Sequence, residues 1–196
     1  MNDYIPPGNA ISGRQRLWVP LAIVVFTLVW VILAVAVGRS LPHEAQLPSG
    51  AAVEVGGAAV TDLDGWTLDT AASDLAQQLV LQRGDLTLMI SYHGFGAKAS
   101  ADEAWQGFER VLDASAAHDG GASLGDPATF QVAAAQAEWG DLQVANRTGG
   151  AFVVTADDGL RAVEGTVLGP LHTSQSDLDA ARAVVGSVEF APLEGS

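Results

Sequence analysis

Residues 17–37, opening at Leu17 and closing at Val37, carry no charged side chain, and no other feature limits the chain's architecture as strongly. Wound as an α-helix at about 1.5 Å per residue, such a run is roughly 31 Å long, the thickness of a bilayer's hydrocarbon core. Its apolar side chains go all round, with Ile23, Val24, Val25, Phe26, Leu28, Val29 and Trp30 leaving no polar stripe to face water. The run therefore reads as a transmembrane helix. Arg14 and Arg16 stand close before it and Arg39 alone comes closely after it, so the positive-inside rule keeps residues 1–16 in the cytoplasm and sends the C-terminal part out. Ala34-Val35-Ala36 fits the small-residue pattern of a signal-peptide cleavage site. The apolar stretch ahead of it, about 17 residues against the usual 7–15 or so, favours an anchor retained in the plasma membrane. Both readings export the C-terminal part.

The expected organisation is a cytoplasmic tail (1–16), the transmembrane helix (17–37), a proline-bearing linker (38–50), one extracytoplasmic α+β domain (51–192) and a short tail (193–196). The formal charge of −14 lies almost wholly after the anchor, with about 22 acidic residues against about 7 basic ones. Nucleic acid and anionic headgroups demand clustered lysine and arginine, so neither is an expected partner. The chain has no cysteine, which excludes a lipidated-cysteine anchor, zinc thiolates, thiol catalysis and disulfides. Lys98 is the single lysine while Ala, Gly, Val and Asp abound, the composition of high-GC bacterial coding.

Within the domain, period-2 patterns place short strands over 52–60 and at Trp66-Thr67-Leu68. A hairpin comes next, with strands 78–82 and 86–93 about the turn Arg83-Gly84-Asp85: Leu86, Leu88, Ile90 and Tyr92 alternate with Thr87, Met89, Ser91 and His93. Ser100 and Glu103 form a capping box, and Trp105, Phe108, Val111 and Leu112 succeed it at helical spacing. Four strands are expected over 130–138, 142–146, 151–155 and 160–168, the first of them alanine-rich enough to suit a helix equally. A helix starting near Ser176-Asp177 and a closing strand end the domain.

That order, with Gly65-Trp66 at an early strand, a hairpin, an amphipathic helix, four strands, and a last helix running into the stretch SVEF from Ser187 to Phe190, resembles the PsbP/Mog1-like fold. The resemblance implies an antiparallel sheet flanked by helices in an α/β/α sandwich, as in membrane-anchored envelope proteins of actinobacterial type. It carries over no catalytic residue and implies no cofactor.

The motifs that suggest chemistry fit their surroundings poorly. Gly121-Ala122-Ser123-Leu124-Gly125 matches G-x-S-x-G, and Asp157 or Asp158 with His172 would complete the hydrolase order. A nucleophile elbow needs a strand entering and a helix leaving, whereas here a helix enters and Asp126-Pro127 leads to a strand. Asp62-Leu63-Asp64-Gly65 echoes a calcium loop, but aligned on Gly65 its first ligand position is Val60 and its last Ala71. His93 has no ligand partner at metal spacing, so no metal is expected. Arg83-Gly84-Asp85 suits a hairpin tip better than adhesion, and Asn146-Arg147-Thr148 suits a strand shoulder. Trp66, Trp105 and Trp139 suit packing between helix and sheet.

The function expected from these residues is a non-catalytic protein- or ligand-binding module on a membrane anchor, with Trp66, Tyr92, His93 and Trp105 as its candidate surface. Its partner would be an envelope or membrane protein. Two alternatives stand beside it: an envelope serine hydrolase using Ser123, and an accessory subunit of a larger membrane complex.

Overall fold

The computed structural model describes residues 43–119, 122–132 and 135–192. The expected transmembrane segment at 17–37 lies outside them, and no helix among the described residues is long and apolar enough to cross a membrane.

Every strand pairing is antiparallel. The main sheet begins at β1 (Glu44–Gln46), runs through β4 (Thr67–Asp69), β5 (Gln78–Arg83) and β6 (Leu86–Gly94), and continues through β11 (Arg161–Pro170), β10 (Arg147–Ala156) and β9 (Ala135–Val144). Both β7 (Ala122–Leu124) and β8 (Ala128–Val132) pair with β9 at the far edge. A second, three-stranded sheet joins β2 (Val53–Val55), β3 (Ala58–Val60) and β12 (Glu189–Phe190). Among the described residues two helices complete the domain, α1 (Ala101–Asp119) and α2 (Gln175–Gly186).

Alternation along the strands gives the main sheet two apolar faces, and each is covered differently. On the first face, Leu79, Leu81, Leu88, Ile90, Phe152 and Val163 pack with Val55 and Val60 of the small sheet and with Ala181, Val184 and Val185 of α2. On the second, Ala151, Val153, Leu142 and Ala162 receive Ala104, Trp105 and Phe108 of α1. The result is an α+β domain with an antiparallel sheet between two covering layers.

Several expectations are corrected. The linker segment 38–50 contains β1, which pairs with β4 and so enters the sheet. Residues 52–60 form a hairpin, β2 with β3, where one strand was expected, and it leaves the main sheet altogether. The expected strand 130–138 spans the end of β8 and the start of β9, two strands paired with each other. The break expected between strands 130–138 and 142–146 does not occur, and Gly140 lies within β9: a Cβ there would stand 2.8 Å from the Gly125 carbonyl oxygen and 3.0 Å from the Trp105 ring, so the glycine permits close approach. Finally, α2 is capped by Ser174, whose Oγ accepts the Asp177 N–H at 3.2 Å, two residues before the expected start.

A candidate binding groove

The capping box sets where α1 begins. The Ser100 N–H donates to a Glu103 carboxylate oxygen at 2.9 Å, and the Glu103 N–H donates to Ser100 Oγ at 3.2 Å. The hydrogen bonds that its carboxylate accepts from Ser100, the backbone one first, hold the Glu103 carboxyl below its usual range. From there the helix lays Trp105, Phe108 and Leu112 on the second face at spacings of three and four, over β10, β9 and β7.

Beside α1, β6 and β11 are left partly open. Met89, Ser91 and His93 on β6 and Glu164, Thr166 and Leu168 on β11 share the second face, held together by the register Ser91↔Glu164 and Met89↔Thr166. Together with Phe108, Leu112 and Leu142 they line a groove of about 480 Å³, within the range of ligand pockets. Its walls are mainly apolar. Met89 is 37% exposed and Val111, on the helical lip, 57% exposed. An ionisable pair interrupts the apolar lining: His93 Nε2 lies 3.0 Å from a Glu164 carboxylate oxygen. The hydrogen bond to Glu164 holds the imidazole's pKa above its ordinary value, against the opposing effect of burial.

The four candidate surface residues do not converge. Tyr92 and His93 are neighbours on β6 and therefore point to opposite faces. Tyr92 packs on the first-face core, lying across the turn of the small sheet so closely that a Cβ at Gly56 would overlap its ring. Trp66 is buried in the same core at 2% exposure, whereas Trp105, on α1, is buried between that helix and the second face. Only His93 lines the groove. Among the lining residues that sequence reasoning did not assign to a site are Met89, Glu164 and Leu142, with Phe108 and Leu112 read only as a packing face. The alternation of Met89, Ser91 and His93 on one strand face was the available signal, but which strand lies alongside depends on a distant pairing.

The remaining motifs belong to the fold. Ser123 sits exposed in β7, opposite Gln143, with β8 next in the chain and no helix leaving the strand. His172 lines a separate cleft with Arg83 and Asp177, and Asp158 is bound to Arg161 at 2.6 Å. Arg83 at the hairpin tip donates to the Asp64 carbonyl oxygen at 3.1 Å. Asp62 and Gly65 both have positive φ, 53° and 80°, as a turn requires, and no cluster of three metal-ligating side chains occurs among the described residues. Trp139 stacks on Phe152 in the first-face core, with the Arg182 guanidinium 4.8 Å from its ring centroid.

No family model matches the sequence, and no curated protein matches it either. Its backbone does align with solved structures. The solution structure of cyanobacterial PsbP from Synechocystis superposes with a TM-score of 0.51 at 12% identity, covering 74% of this chain and 98% of that one. The fold is PsbP/Mog1-like. Two Mog1 structures also align. A single-residue variant of Mog1 gives a TM-score of 0.48 at 14% identity over 73% of this chain and 96% of that one. The Saccharomyces cerevisiae Ran-binding protein Mog1p gives 0.47 at 12% identity, over 75% and 94% respectively. At such identities a PsbP/Mog1-like backbone specifies an arrangement of layers, and function has to be argued from the groove.

Proposed function

We propose that this protein is a membrane-anchored, extracytoplasmic binding module, and that the groove between α1 and strands β6 and β11 receives an apolar segment of a partner protein of the envelope or membrane. The observation that carries the reading is the groove itself. It is an open apolar channel of about 480 Å³ whose only charged lining residues, among the described residues, are a half-exposed histidine and its glutamate. Apolar surface left open beside a covered half of the same sheet face is the usual mark of a recognition site. The acidic excess of the domain favours a partner with basic residues flanking its apolar segment. Anchoring and export rest on the uncharged run at 17–37 and on Arg14 and Arg16 before it.

Two experiments test the two halves of this proposal. Membranes washed at high salt or with carbonate should retain the full chain, and release of a species beginning near Val37 would overturn the anchor. Purification in mild detergent should recover a stoichiometric partner with the wild type and lose it with Val111→Glu on the groove's lip. Recovery of the wild type alone, or an identical partner yield with the variant, would overturn the groove.

A further inference from the structure

Glu164 carries its carboxylate into the groove among Met89, Phe108, Leu112 and Leu142, with Ser91 opposite it on β6 and Val153 opposite it on β10. Its side chain is 21% exposed, less than half the 46% of His93, whose Nε2 lies 3.0 Å away. The carboxylate is thus the covered member of the pair and the imidazole the one nearer water. The surrounding elements bring no other charge to them. His93 stands opposite Ala162 on β11, Ser91 stands opposite Gln78 on β5, and the α1 residues that line the groove are Phe108, Val111 and Leu112. Arg161 of β11 belongs to the other face, bound to Asp158 at 2.6 Å with its guanidinium over Phe190.

A carboxylate accepts at about four lone-pair sites, so the bond to His93 leaves Glu164 able to take a second donor. An occupant seated over Met89 and Leu142 strips the remaining water from it, and a covered carboxylate without a compensating charge is strongly disfavoured. Resting this on the reading of the groove as a binding surface, we propose that Glu164 sets its specificity: the segment received carries a lysine or arginine within its apolar stretch, and that cation pairs with the Glu164 carboxylate in competition with the His93 imidazolium. A wholly apolar segment leaves Glu164 covered and unpaired, and an acidic one sets like charges together, so both are rejected. While His93 is protonated, Glu164 is already neutralised. Seating the partner's cation lowers the imidazole's hold on its proton, so binding releases that proton. Affinity therefore rises as pH climbs from the bound-state value of His93 to its free-state one, which Glu164 holds above 6.5, and is level beyond it.

The test uses a photoreactive amino acid at Met89 of the full chain in its membrane. Mass spectrometry of the cross-linked product identifies the segment, and a synthetic peptide of that segment is titrated against the full chain in detergent across a pH series. The peptide should contain a lysine or arginine, and its affinity should rise by up to about tenfold per pH unit within the titration window of His93, the limit for one proton. Glu164→Gln should weaken binding by about thirtyfold at the upper end of the series, the usual loss when one member of a covered charge pair is removed. A peptide with norleucine in place of the basic residue should lose as much against the wild type and nothing further against Glu164→Gln. His93→Gln should flatten the pH profile, which a merely structural histidine would not do. A cross-linked segment without a basic residue, equal affinities for the wild type and Glu164→Gln, or an unaltered profile in His93→Gln would overturn the assignment and leave the groove standing. No product at Met89 would overturn the groove and this assignment together.

Discussion

His93 Nε2 stands 3.0 Å from the Glu164 carboxylate across strands β6 and β11, with the imidazole about half exposed and the carboxylate largely covered. The pair sits in the lining of the groove. Glu164 raises the His93 pKa above the ordinary 6.5, so the pair's stabilisation is complete below that value and is lost as pH rises through the raised one. Nuclear magnetic resonance titration of His93 should show a midpoint above the ordinary value in the wild type and a lower one in Glu164→Gln. Equal midpoints would mean that the carboxylate does not hold the imidazole.

Gly140 tests how tightly α1 is seated. A methyl group there would meet the Gly125 carbonyl oxygen at 2.8 Å and the Trp105 ring at 3.0 Å, and backbone on one side leaves little room to yield. Gly140→Ala should destabilise the domain by about 1–3 kcal/mol, the ordinary cost of overpacking, as read from denaturant midpoints. An unchanged midpoint would show that α1 shifts without cost.

Ala145 lies in the two-residue connection between β9 and β10 with φ of 49°, in the left-handed region where a Cβ is strained. Ala145→Gly should stabilise the fold by about 0.5–1 kcal/mol, since relief of roughly 1–2 kcal/mol is partly offset by added freedom in the unfolded chain. A loss of stability would mean that the turn is not strained.

Ser174 and Ser176 separate two positions for the start of α2. Ser174→Ala removes the oxygen that accepts the Asp177 N–H and should cost about 1 kcal/mol, whereas Ser176→Ala should change stability by less than about half of that. Thermal unfolding of both variants decides the matter, and the reverse order would move the cap.

The elements legible in the sequence were those whose signal is local. The β5–β6 hairpin showed in strict alternation from Leu86 to His93, and α1 showed in the Ser100 and Glu103 capping box, both of which depend on residues a few positions apart. The small sheet was not legible, because strands of two or three residues leave too few positions to show a period, and nothing local says that Phe190 pairs with Ala58. Gly140 was misleading for a physical reason: glycine ends strands, and it also sits inside them where another group must come close. At the site, His93 was found because its residue type invites attention. The other wall, Glu164, joins it only through the long-range register of β6 with β11, and the buried tryptophans drew attention that belonged to the core.

The most direct test of the groove as a binding surface is photo-cross-linking of the full chain in its native membrane. A photoreactive amino acid is placed at Met89 inside the groove or at Leu171, an exposed control outside it. The account predicts a discrete cross-linked partner from position 89, none from position 171, and loss of the product when Val111→Glu is added. A product equally strong from both positions, or one from position 89 that persists with Val111→Glu, would contradict it.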